Sequence, residues 1–143
     1  MPIALLNRDK LRQLCESRLE EARVLFENRL WTGAYYFAGL GVECALKSCL
    51  ASDVEKYDFP DKEFVIKTYD HDLERLFKLN RALWVQFKAE AKPGGKLFSN
   101  WSLVKDWDNE KRYDVIEEFD AKRFYEAVTD ASSGIAEWIR RRW

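Results

Sequence analysis

The sequence predicts an all-α fold, an antiparallel helical bundle of four main helices plus one short helix, with residues 1–143 forming a single domain. Apolar residues recur at intervals of three and four over most of the chain, the period of a helix with one buried face. No stretch of useful length alternates apolar and polar residues as a half-buried strand would. The strongest breaker, Lys92-Pro93-Gly94-Gly95, falls between two periodic segments. An apolar fraction of 47% and an aromatic fraction of 15% place the chain among folded rather than disordered sequences. At 143 residues it is long enough to bury a real core.

The first helix is expected over residues 8–29, where Leu11, Leu14, Cys15, Leu19, Ala22, Leu25 and Phe26 keep the period and charged residues fill the spaces between. The short connection at 29–33 favours an antiparallel neighbour. The second helix, WTGAYYFAGLGVECALKSCLA at 31–51, fading near Asp53, is apolar on nearly every side and so belongs at the centre. Its Ala34, Ala38, Gly41 and Ala45 form one stripe of small residues that lets a neighbouring backbone come close. Gly39 and Gly41 each cost about 1 kcal/mol in a helix relative to alanine, so some contact must compensate.

Residues 54–70 contain Pro60 and little periodicity and read as a loop. A third helix is expected to start with Asp70 as its cap and to continue through Leu73, Leu76, Phe77, Leu83, Trp84, Phe87 and Ala91. Leu97, Phe98, Trp101 and Val104 mark the short helix, and residues 107–113 read as an irregular connection. Asp120 is the expected cap of a last helix in which Phe124, Ala127, Val128, Ala131, Ile135, Trp138 and Ile139 face the core. Arg140, Arg141 and Arg142 follow as a solvated end where positive charge suits the helix dipole; a nucleic-acid patch is the alternative. Trp31, Trp84, Trp101 and Trp138 read as core or subunit-interface anchors before base-stacking platforms.

Twenty-four basic residues against 25 acidic ones give no global positive field, so any nucleic-acid binding needs a local basic patch. Cys15, Cys44 and Cys49 form no C-x-x-C pair, and a lone histidine cannot complete a usual zinc set with them; reduced thiols and no metal are expected. The apolar run near the N-terminus is too short for a signal sequence and nothing approaches a membrane span, which makes the cytoplasm the expected location. G-x-S-x-G, H-E-x-x-H, the P-loop and the dinucleotide fingerprint are all missing, so no cofactor is expected.

The polar residues of the second helix stand out against this background. Glu43 and Lys47 are an i, i+4 pair with the acid on the favourable N-terminal side, and Tyr36 shares Glu43's face. If buried, the pair needs further partners and would fix a neighbouring segment such as the region of His71 or Arg112. His71 either caps backbone groups or bonds to Glu43, or else serves a ligand. Arg112, in the late loop, either holds a phosphate or fastens that loop to Glu43.

The order of these pieces, AYYFAGLGVECALKSCLA, then a loop, then HDLERLF, then an aromatic-rich segment ending in Arg112-Tyr113, resembles the HEPN domain over roughly residues 11–138. HEPN domains are small helical proteins of bacteria, archaea and some eukaryotes. Many are metal-independent ribonucleases, often toxins paired with a nucleotidyltransferase-like antitoxin, with an R-x(4–6)-H motif near the dimer interface. Others lack the motif and act as binding or regulatory modules. This chain departs from the nuclease pattern: where an arginine should precede His71 stand Phe64, Val65 and Ile66, and Lys67 is too close. Metal-free RNA cleavage needs a proton-transfer group and a cation for the phosphate, so His71 would have to recruit Arg75, Lys47 or Arg112.

The resemblance therefore implies a non-catalytic, homodimeric binding module for RNA, a nucleotide or a partner protein, in a toxin-antitoxin or defence-like setting that can include a nucleotidyltransferase-like companion. Its expected ligand residues are Tyr36, Glu43, Lys47, His71, Asp72, Arg112 and Tyr113. One alternative is a ribonuclease with a rearranged centre using His71, Arg112 and Lys47; another is a purely structural interaction module.

Overall fold

Asn7 sets the start of the first helix in the computed structural model, which describes residues 6–54, 59–107 and 114–143. Its side chain accepts from the Lys10 N–H at 2.8 Å, satisfying one of the orphan donors of the first turn, and α1 runs Arg8–Glu27. The helix closes in a Schellman turn. The N–H of Arg29 donates to the Phe26 carbonyl at 3.1 Å and that of Leu30 to the Leu25 carbonyl at 2.9 Å. Arg29 sits at φ 62°, a position glycine usually takes.

This reversal sends α2 (Trp31–Ser52) back along α1. The register is antiparallel: Gly33 faces Leu25, and farther along α2 Gly41 faces Leu19 and the Cys15 carbonyl. The small-residue stripe does what its spacing predicts, with Ala34, Ala38 and Ala45 fully buried. Both helical glycines are compensated, because a Cβ on Gly39 would lie 2.1 Å from the Trp107 indole and one on Gly41 2.7 Å from Leu19.

The all-α class holds, and the described residues form eight helices and no strand. The additional helices follow from breaks and turns that periodicity alone passes over. Within the expected loop lies α3 (Lys62–Thr68), capped by Asp61, whose carboxylate accepts from the Phe64 N–H at 3.1 Å. None of its residues is fully buried, so it carries no strong apolar period.

The expected third helix is two, α4 (Leu73–Leu79) and α5 (Arg81–Glu90), divided at Asn80, which leaves helical geometry at ψ 86° and caps α5 by accepting from the Leu83 N–H. Asp72 rather than Asp70 caps α4, accepting from the Arg75 N–H at 2.9 Å. The short helix, α6, spans Lys96–Val104.

The last helix is also divided, into α7 (Glu118–Thr129) and α8 (Ile135–Arg140). Glu117 precedes α7, and Asp120 lies inside its first turn rather than at the cap. The break belongs to Asp130, whose Oδ2 accepts from the N–H groups of Ser132 at 3.2 Å and Ser133 at 2.7 Å. Gly134 follows because a Cβ there would meet the Asp130 backbone at 2.5 Å.

Helices α1, α4, α7 and α8 pack on α2. Phe77, Phe87, Trp101 and Trp138 join α4, α5, α6 and α8, with ring centroids 4.9 Å apart for Phe77 and Phe87 and 5.1 Å for Phe87 and Trp138. Trp101 and Trp138 are core residues as expected, whereas Trp31 and Trp84 are half-buried. The terminal arginines are not merely solvated: Arg140 binds Glu16 and Glu137, and Arg142 binds Glu90 and lies over Trp138. They clasp α8 to α1 and α5. Cys15, Cys44 and Cys49 are free thiols, and no helix among the described residues is long and apolar enough to cross a membrane.

Candidate functional site

Glu43 projects from the middle of α2 with only 9% of its side chain exposed. A carboxylate so placed must be compensated. Its Oε2 lies 3.5 Å from Nζ of Lys47, one turn along, and its Oε1 lies 2.8 Å from Nδ1 of His71. The ion pair of the central helix and the lone imidazole therefore meet.

A polar turn holds His71 in place. Asp70 accepts from the backbone N–H groups of His71 at 2.8 Å and Asp72 at 3.0 Å, and from Nη2 of Arg75 at 2.9 Å, while Nε of Arg75 donates to its other oxygen. The Arg75 guanidinium holds the Asp70 carboxyl down at about 2; partial burial opposes this and the two backbone donors assist it. Asp70 and Arg75 are thus the positioning groups that sequence reasoning missed. Their signal was an acid immediately before the histidine with an arginine five residues on, and the Asp70 side chain was misread as the helix cap.

Of the other expected residues, Asp72 neighbours His71 and uses Oδ1 as the cap of α4. Tyr36 lies two turns before Glu43 on α2, half-buried, its ring 6.0 Å from that of Trp107 and 5.6 Å from that of Phe37. Arg112 and Tyr113 lie outside the described residues. Arg75, one of the cations that His71 would have to recruit, is engaged with Asp70.

The Lys47 side chain, 16% exposed, also forms part of the wall of a groove of about 220 Å³ where α2 meets α3, alongside Leu11, Leu50, Val54, Phe64 and Tyr69. Its aliphatic stem suits the apolar lining while the ammonium faces Glu43.

A ring bonded to a carboxylate through Nδ1 is fixed in orientation, and Nε2 remains for another partner. With 54% of the His71 side chain exposed, a ligand can reach it. Among the described residues no group of three or more His, Cys, Asp or Glu side chains is arranged to hold a metal ion. The chain matches no protein-family model, no curated protein and no solved structure.

Proposed function

We propose that the chain is a cytoplasmic HEPN-type binding module that receives a phosphate-bearing ligand, RNA or a nucleotide, beside His71, and does so without chemistry. The observation that carries this reading is the division of one buried carboxylate between two basic groups. Glu43 fixes the imidazole through Nδ1 and leaves Nε2 at the exposed edge, where it can meet the oxygen of an anionic ligand.

Binding is favoured over cleavage because Arg75, a cation that His71 would have to recruit to stabilise the transition-state charge, is engaged with Asp70. In keeping with the resemblance, the module works as a homodimer, alongside a companion protein such as a nucleotidyltransferase-like partner.

One observation favours a second reading, a metal-independent ribonuclease. Glu43 orients His71 as a carboxylate orients a general base. A purely structural module is the least favoured reading, because a groove opens beside Lys47.

Calorimetric titration with mononucleotides and short RNA tests the binding reading. Binding weakened in His71→Ala and Lys47→Met, with RNA intact after incubation in chelator, supports it. Cleavage that disappears in His71→Ala replaces it with the ribonuclease. Light scattering that finds a monomer alone at micromolar concentration removes the dimer.

A further inference from the structure

The chain carries slightly more acid than base overall, yet residues 78–96 hold Lys78, Arg81, Lys88, Lys92 and Lys96 against Glu90 alone. That one acid is already taken, since both oxygens of Glu90 accept from Nη2 of Arg142 at 3.0 and 3.2 Å. Lys78 pairs with Glu74, while Arg81, Lys88 and Lys92 make no salt bridge with any described residue. All four of these cations are exposed.

Two of them share one face of α5. Arg81 and Lys88 lie at i and i+7, Trp84 falls at i+3, and Lys92 follows just past the helix end at Ala91. Arg81 and Lys88 are therefore about 10 Å apart along the axis with the indole between them. Trp84 is half-buried: its inner side meets Phe77 at 5.2 Å between centroids, and the ammonium groups of Lys78 and Lys88 each lie 5.5 Å from its ring. Beside it, Val85 is 59% exposed.

We infer that this face of α5 is a docking surface for single-stranded nucleic acid, with Arg81 and Lys88 on phosphates and Trp84 against an unpaired base. Charge complementarity selects a polyanion, and an aromatic ring set between cations selects one with flat, unpaired bases over a duplex. Lys88, which makes no salt bridge with a described residue, swings from the indole to an incoming phosphate. The surface lies on α5 rather than at the start of α4, and the inference does not rest on the His71 reading.

Fluorescence anisotropy with a short labelled single-stranded RNA, and with the same sequence as a duplex, tests the inference on the full chain. The single strand should bind more tightly. Arg81→Ala with Lys88→Ala should weaken it roughly tenfold or more and lower the slope of log affinity against log salt by about 1.4, the share of two lost phosphate contacts. Trp84→Leu should weaken binding with little change in slope.

Both cations are exposed, so the double variant is expected to keep its circular dichroism and decides the matter alone should Trp84→Leu fail to fold. Unchanged affinity in the double variant overturns the surface, as does preference for polyglutamate over RNA, which would mark a site for an acidic protein segment. His71→Ala distinguishes the two proposals. Loss there with full binding in the double variant removes this surface and spares the His71 site; the reverse supports this surface and counts against RNA at His71.

Discussion

His71 and Glu43, 28 residues apart in sequence, meet at 2.8 Å and so tie the start of α4 to the middle of α2. Lys47 depends on the same carboxylate, and its side chain is mostly buried. Removing the carboxylate in Glu43→Ala leaves that ammonium without a counter-charge, a loss on the order of 3–5 kcal/mol for a buried pair. Glu43→Gln should cost less, because the amide oxygen still accepts. His71→Ala should cost about 1 kcal/mol, the value of a hydrogen bond whose donor is half in water. Urea unfolding of the three variants measures the order, and equal losses would show that the carboxylate does not hold the cluster together.

Trp107 fills the space beside Gly39 that any side chain would need. Alanine gains about 1 kcal/mol over glycine in a helix interior. At Gly39 that gain is outweighed, because the indole is buried and rigid and would have to shift by more than an ångström from a contact of 2.1 Å. Gly39→Ala should therefore be destabilised by about 1–3 kcal/mol. Gly41→Ala meets Leu19, whose Cδ2 and Cγ would lie 2.7 and 2.9 Å away, but that side chain can turn aside and the Cys15 carbonyl is at an ordinary 3.7 Å, so the variant should stay within about 1 kcal/mol of the parent. Thermal melts that rank the two the other way would refute the assignment of Trp107 as the partner of Gly39.

These glycines show where sequence reasoning reaches and where it stops. The apolar period of α1 and the all-round apolar character of α2 made the central hairpin readable, and the cost of Gly39 and Gly41 announced close contacts without naming them. Helix breaks were harder. Asn80 and Asp130 end helices through side-chain bonds to backbone N–H groups a few residues on, while the apolar period continues across the break and conceals it. The meeting of Glu43 and His71 was legible as one of several uses for a lone histidine, because a buried acid needs a partner. The part played by Asp70 was not, since an aspartate before a helix caps it as readily as it binds a side chain five residues on.

Burial also sets the chemistry of the thiols. Desolvation pushes Cys15 up to about 12, with the neighbouring Glu16 charge adding to the effect, and pushes Cys44 up to about 11, assisted by Glu43. Cys49 is raised as well, again chiefly by burial. A raised value means less thiolate at any given pH, so native protein at about pH 8 should react with iodoacetamide far more slowly than a free thiol does. In denaturant all three cysteines should label, giving a mass shift of three adducts. Rapid native labelling at Cys44, the least buried of the three, would show that α2 opens near Glu43.

Asp70 gives the fold of the site a dependence on acid whose direction is fixed. Its carboxyl is held at about 2, against an ordinary 3.8, first by Arg75 and then by the backbone donors of His71 and Asp72. A group depressed on folding contributes its stability fully above the ordinary value and loses it as the pH falls toward the folded one. The stability gap between parent and Asp70→Asn should thus be constant from about pH 7 to pH 5 and should close between about pH 4 and pH 2. Arg75 is mostly exposed, so the gap should be on the order of 1 kcal/mol and should shrink in high salt. The same variant keeps an oxygen for the N–H groups of His71 and Asp72 but loses the ion pair with Arg75, so the turn loosens and ligand affinity should fall modestly while the α2 pair of Glu43 and Lys47 remains. A gap that persists undiminished at about pH 2 would mean that the charge of Asp70 is not what holds the histidine's turn in place.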